Sequence, residues 1–289
     1  FNWQRVRLVD EAMCAAFYER CIETIKNDPQ SAIVESVTTK PKTKRRPVPL
    51  TTVELQKLAS RKLKLSATNT MSIAESLYNK GFISYPRTET DSFPEGFDLM
   101  SLIRQQFNDP QWGEYAKGLV DNNKFVQPRQ GKNNDNSHPP IHPTKSGDGL
   151  SGSEALLYEL VTRHYLACCS DDAKGSETTI VLAVAAEQFT TNGLVIEALN
   201  YLEVYKYETW NAKTIPGFHQ GEPVVPKSLE MNSGSTTAPK LLTEADLISK
   251  MDKNGIGTDA TIAQHIQTIQ DRKYVVKENN VFTPTALGA

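Results

Sequence analysis

The chain has 289 residues, 38% of them hydrophobic and 23% charged, with a formal net charge of −2. That length allows two or three domains, the mix is that of an ordinary soluble chain, and the charge balance gives no whole-chain footprint for nucleic acid. No run is apolar enough to cross a membrane, and a first residue of Phe with no tail after Ala289 reads as a piece cut from a longer protein.

In chain order, Phe1 to Val9 alternates apolar and basic residues like a strand. Asp10 can cap a helix to about Ile25, ended by Asn27-Asp28-Pro29, and Ala32 to Thr38 alternates β-branched residues. Between Lys40 and Lys64 lie nine Lys or Arg against one acid, Glu54, a local charge of +8. Such a run fits a solvated face or a phosphate-contacting strip. Thr51-x-x-Glu54 is a capping box for a short helix, and a second helix spans Ala67 to Lys80 with Gly81 as its stop. Residues 97–120 read as further helix, and Asn122 to Ser137 as a long polar loop. Residues 153–169 read as an amphipathic helix, and Thr178 to Tyr207 as strands. Residues 211–238 are loop-like. Thr243-x-x-Asp246 opens a helix ending at Asn254-Gly255, another follows Gly257 to about Arg272, and a hairpin turns at Glu278-Asn279-Asn280. Helix, tight turn, helix, hairpin is the outline of a winged helix-turn-helix.

None of Cys14, Cys21, Cys168 and Cys169 forms a Cys-x-x-Cys pair, so a structural zinc site is not expected, and a reducing compartment fits them best. The most informative stretch is Gly81-Phe-Ile-Ser-Tyr85-Pro86-Arg87-Thr88-Glu89-Thr90. Pro86 pushes Tyr85 to extended backbone, and a guanidinium two residues on can grip a phosphate in a bidentate fashion. Phenols titrate near pH ~10, and a neighbouring Arg favours the anion. A surface loop with a packed tyrosine has the same spacing, and the residues alone do not choose between the two.

Further on, His138-Pro-Pro-Ile-His142-Pro-Thr-Lys145 has histidines at zinc spacing, but its prolines preclude the helix that would aim both at one metal. A proline-stiffened loop could instead bind or protonate a phosphate oxygen. Gly255-Ile-Gly257-Thr258-Asp-Ala-Thr261 opens a helix, where free N–H groups favour an anion and an ordinary N-cap is the plainer reading. Glu89-x-Asp91 places two carboxylates near Tyr85, but turn chemistry accounts for them, and no metal site is expected in this chain.

These segments together resemble the type IA DNA topoisomerases, most of all the eukaryotic topoisomerase III branch. The resemblance implies a mixed α+β, multidomain fold: a β-rich gate arch with an inserted helical domain, plus a winged-helix-like C-terminal segment. It implies gate-domain pieces at 1–50 and 176–238, the helical domain at 51–175, and the start of a DNA-binding fourth domain at 239–289. It makes Tyr85 the nucleophile that joins a DNA 5′ phosphate, with Arg87 and His138 on the scissile phosphate. Thr88, His142, Lys145, Thr258, Thr261 and Arg272 fall at or beside family positions on DNA; bacterial members often carry Arg where His142 and Thr258 stand. It further implies single-stranded DNA as substrate, a RecQ-type helicase and a small OB-fold protein as partners, and a nuclear location serving repair and recombination. The family's Mg2+ is bound by a TOPRIM domain whose Asp-x-Asp pair is absent here, so the chain alone is expected to cleave weakly or not at all. The rival reading is a non-catalytic winged-helix DNA-binding module or a partner scaffold.

Overall fold

The computed structural model describes residues 1–289, which form two compact units. Unit 1 comprises residues 1–44, 173–199 and 210–238; unit 2 comprises 45–172, 200–209 and 239–289. No helix is long and apolar enough to cross a membrane.

Unit 1 is a five-stranded antiparallel sheet in the order β1-β4-β3-β2-β5, with one helix. The strands are β1 (Asn2–Trp3), β2 (Ala32–Lys44), β3 (Ala173–Val184), β4 (Glu187–Ala198) and β5 (Pro223–Val224). Helix α1 (Glu11–Asn27) starts where Asp10 accepts the Met13 N–H at 2.9 Å. The core joins Cys21 of α1 to Ala32, Val34, Ile180, Leu182 and Val184 of the sheet. The strand expected over Phe1 to Val9 shrinks to two residues: the chain leaves the sheet at Val6, which has φ +66° and is 81% exposed. The basic run begins as ladder, since Lys40, Lys42 and Lys44 pair in register with Glu177, Gly175 and Ala173.

Unit 2 is mainly helical: α2 (Thr52–Leu58), α3 (Ala67–Asn79), α4 (Leu99–Arg104), α5 (Gly113–Asp121), α6 (Gly152–Cys168), α7 (Glu244–Lys253) and α8 (Ile262–Asp271). A π-helical turn, Ala59–Leu63, extends α2 and ends at Lys64 with φ +59°. The hairpin of β6 (Val275–Glu278) and β7 (Val281–Pro284) turns on Asn279 and Asn280, both at positive φ, the conformation that two-residue hairpin turns require. Ala67 and Met71 of α3 share a core with Ile248 and Met251 of α7, Ile262, Ala263 and Ile266 of α8, and Phe282 of β7. Buried Glu244 accepts the Ala67 N–H and binds Lys277, tying the start of α3 to the hairpin.

Three further expectations change. The helix expected over 97–120 is two short ones, because Asp109 accepts the N–H groups of Gln111 and Trp112 around Pro110. A Cβ on Gly113 would lie 2.4 Å from the Phe107 carbonyl oxygen, so only glycine allows that bend. The amphipathic helix at 153–169 is instead buried continuously from Leu157 to Cys168, while Leu156 is 47% exposed. Its basic residues find partners inside: Arg163 binds Glu159, the Val204 carbonyl and Gln111, and His164 sits between the Tyr205 hydroxyl and the Val48 carbonyl. Finally, residues 200–207 are not strand; a 3₁₀ turn (Asn200–Glu203) and the buried Tyr201, Tyr205 and Tyr207 belong to unit 2.

Candidate active site

The site begins at the end of α3. Gly81, at φ +74°, reverses the chain; its N–H bonds the Tyr78 carbonyl and the Phe82 N–H bonds Leu77, the double closure of a Schellman cap. From Phe82 the chain runs extended beside the His-Pro loop: Ser84 N–H bonds the His142 carbonyl, Thr144 N–H bonds the Phe82 carbonyl, and Ser84 Oγ accepts the His142 N–H. Thr52, at the start of α2, grips the other side. Its hydroxyl donates to the Pro86 carbonyl at 2.7 Å and accepts the Thr88 N–H at 2.7 Å, while its own N–H bonds the Thr88 carbonyl. Tyr85 is thus displayed from a backbone fixed on both flanks.

The Tyr85 ring is half-buried between two others: Tyr78 meets it edge-on at 5.3 Å, and the His138 imidazole lies over it at 4.6 Å. Arg87 donates from Nε and Nη2 to Glu75 Oε1 and from Nη1 to the Ala260 carbonyl at 2.8 Å. Three of its five N–H groups are engaged, and two remain for another acceptor. The Ala260 bond brings the N-terminal turn of α8 to the site. There Gly255 and Gly257 have φ +65° and +81°, and a Cβ on Gly257 would meet His265 and Thr261 at 2.9 and 3.0 Å. Thr261 Oγ1 accepts the Thr258 N–H at 2.8 Å, so exposed Thr258 and half-buried Thr261 form one cradle at the positive end of a helix.

The other expected residues lie elsewhere. Thr88 is fully buried, its hydroxyl 3.1 Å from Asp135. His142 is buried among Phe93, Phe97 and Tyr165, with Nδ1 2.6 Å from the Pro140 carbonyl. Burial pushes its pKa down despite that bond, which favours the neutral ring. Lys145 donates to the Lys80 carbonyl at the end of α3 and lies 4.0 Å over the Phe82 ring. Arg272 is exposed at the far end of α8, eleven residues beyond Thr261 and roughly 16 Å along the axis. Sequence reasoning does not single out Thr52, Glu75, Tyr78 or Asp135; the Glu75–Arg87, Thr52–Thr88 and Asp135–Thr88 bonds span 12, 36 and 47 positions, and only the Thr51 cap beside Thr52 hints at any of them.

No group of three or more His, Cys, Asp or Glu side chains is placed to hold a metal ion. Asp91 uses both carboxylate oxygens on Asn133, and Glu89 is exposed. The residues present do not fit the magnesium implied for the wider protein. All four cysteines are free thiols; burial raises the pKa of both Cys168 and Cys169, the latter to about 12, so neither is a reactive thiolate.

A family model described as DNA topoisomerase matches residues 2–289, and the chain belongs to that family. It is 51% identical to DNA topoisomerase 3 of Dictyostelium discoideum and 50% identical to DNA topoisomerase 3-alpha of Homo sapiens, all of the chain being matched in both. The chain spans 34% and 28% of those two relatives. The solved structure of full-length topoisomerase I from Thermotoga maritima matches at a TM-score of 0.73 and 26% identity, over 92% of this chain and 45% of that one. The fold is accordingly that of a type IA topoisomerase neighbour, mixed in helix and strand with a curled sheet.

Proposed function

We propose that this chain is the nucleophile-bearing part of a type IA DNA topoisomerase that cleaves and rejoins single-stranded DNA through Tyr85. The observation that carries the reading is the cluster itself: a displayed phenol between two rings, a guanidinium with free N–H groups two residues on, and a helix N-terminus reached through Ala260. In the proposed step, Tyr85 Oη attacks the scissile phosphorus and the P–O3′ bond breaks. The 5′ phosphate stays on Tyr85, the phenolic proton is released, and the departing oxygen takes one up as a 3′-hydroxyl. Arg87 neutralises charge on the non-bridging oxygens, and His138 contacts the same phosphate. The Thr258–Thr261 cradle and Arg272 hold flanking phosphates, with Lys145 further along the strand. Thr88 and His142, both internal, act through the backbone they brace.

The same reading makes 1–50 and 176–238 the gate, 51–175 the helical domain and 239–289 the start of a winged-helix-like fourth domain. Strand passage through the gate, relaxing or decatenating DNA, belongs to the full protein, as do magnesium, a RecQ-type helicase, an OB-fold accessory protein, and a nuclear role in repair and recombination. The test is Tyr85→Phe in the full-length protein. The variant is expected to give no covalent adduct with a single-stranded oligonucleotide on denaturing electrophoresis, with binding unchanged within about two-fold; an adduct from it refutes the proposal. A gel-shift preference for one duplex sequence over single strands would favour a regulatory module instead.

A further inference from the structure

His138 is exposed on a polar loop, yet its ring is held 4.6 Å from that of Tyr85. An exposed imidazole on a free loop would spread over many positions, at an entropic cost to any one geometry. Asp135 supplies the constraint. Its Oδ1 accepts the N–H groups of Ser137 at 2.8 Å and His138 at 2.9 Å. Its Oδ2 accepts the Thr88 hydroxyl at 3.1 Å, and its own N–H donates to Thr90 Oγ1 at 3.0 Å. Thr88 in turn is gripped by Thr52 and lies three residues from Tyr85. One carboxylate therefore ties the turn bearing His138 to the strand bearing Tyr85.

We propose that Asp135 is a positioning residue of the active site, fixing His138 against Tyr85 through the turn it closes and through Thr88. The inference rests on the reading of Tyr85 as nucleophile. The carboxylate is chemically suited to this role. Partial burial opposes its charge, but the donors from His138, Ser137, Thr90 and Thr88 outweigh that and hold its pKa well below the usual carboxylate range. That favours the ionised form, an acceptor at both oxygens. A carboxylate that merely orders a loop would make the same bonds, so the discriminating property is whether its effect passes through His138.

The experiment is a double-mutant cycle in the full-length protein, read as the single-turnover rate of covalent adduct formation on a single-stranded oligonucleotide. Asp135→Ala is expected to slow the adduct by about 10–100-fold, the scale of a misplaced catalytic group. In a His138→Ala background the same substitution is expected to change the rate by less than about two-fold. Thr88→Val, which keeps the turn and removes the bridge, is expected to slow the rate less and also to lose its effect without His138. Asp135→Asn, which keeps an acceptor for the N–H groups, is expected to recover part of the loss; with Thr88→Val it carries the test if Asp135→Ala fails to fold. Equal slowing with and without His138, or no slowing, overturns the proposal while leaving Tyr85 in place. An adduct that survives Tyr85→Phe overturns the reading beneath it and this inference together.

Discussion

The two units bury different things. Sixteen polar or charged side chains are buried, and Glu187 alone of them belongs to unit 1; the other fifteen are in unit 2. Unit 2 is the longer, but length does not give fifteen to one. Unit 1 holds together by its ladder and one apolar layer between α1 and the sheet. Unit 2 threads hydrogen-bonded groups through its interior: Thr52 to Thr88, Arg163 to Glu159, His164 to Tyr205, Glu244 to Lys277. Apolar packing tolerates small shifts, whereas a satisfied polar network specifies one geometry and is costly when broken. The unit that carries Tyr85, Arg87 and His138 is the one threaded by such bonds.

The contrast can be broken from either side. Single-tryptophan variants separate the units, since Trp112 lies in unit 2 and Trp3 and Trp210 in unit 1. Glu159→Ala removes the carboxylate facing Arg163 and Lys206 and is expected to destabilise the Trp112-reported denaturant transition most, by about 3–5 kcal/mol, because a buried guanidinium loses its counter-ion. Ile180→Ala opens a cavity in the unit 1 core and is expected to cost about 2–4 kcal/mol in the transition seen by Trp3 and Trp210. Thr52→Val keeps the shape but strips the hydroxyl from the Pro86 carbonyl and the Thr88 N–H. It is expected to cost about 1–3 kcal/mol and to slow adduct formation in the full-length protein, which Ile180→Ala is not expected to do selectively.

The smallest effect is pH dependence. Burial lowers the pKa of His142 and His164 below the ordinary histidine value near 6.5. Between those lowered values and pH 6.5 the unfolded chain binds more protons than the folded one, so stability rises with pH through that window. The Trp112 transition is expected to weaken from about pH 7.5 to about pH 5.5. Unit 1 has one histidine, His219, with its side chain 92% exposed, and its transition is expected to move less; equal weakening of both would remove the distinction. Depressed carboxylates such as Asp135 act lower: their contribution is kept above the ordinary carboxylate range and lost as pH falls below it.

Legibility in the sequence follows the range of the interactions. Asp10, Thr243 and the Asn279-Asn280 turn act within three or four residues, and each is readable. Tyr85, Arg87 and His138 are readable because they stand in contiguous segments resembling a known family. The Thr52–Thr88, Asp135–Thr88 and Glu75–Arg87 bonds join residues 12 to 47 positions apart, and no local pattern pairs them. Helix α6 misleads for the same reason: an amphipathic pattern implies a solvent face, whereas Val204, Tyr205 and Val48, which receive Arg163 and His164, are distant in the chain. Pro110 is different, a local signal that the helix over 97–120 breaks, and a continuous helix there overlooks it.

Helix α6 has a consequence for how the chain can vary. From Leu157 to Cys168 no side chain reaches solvent freely, so every position answers to either a packing neighbour or a hydrogen-bond partner. A surface helix lets many of its positions drift; this one offers drift at Leu156 and almost nowhere beyond. Substitutions that do appear there should arrive in pairs, Arg163 with Glu159 or His164 with Tyr205, making α6 a record of coupled change within the unit that carries Tyr85.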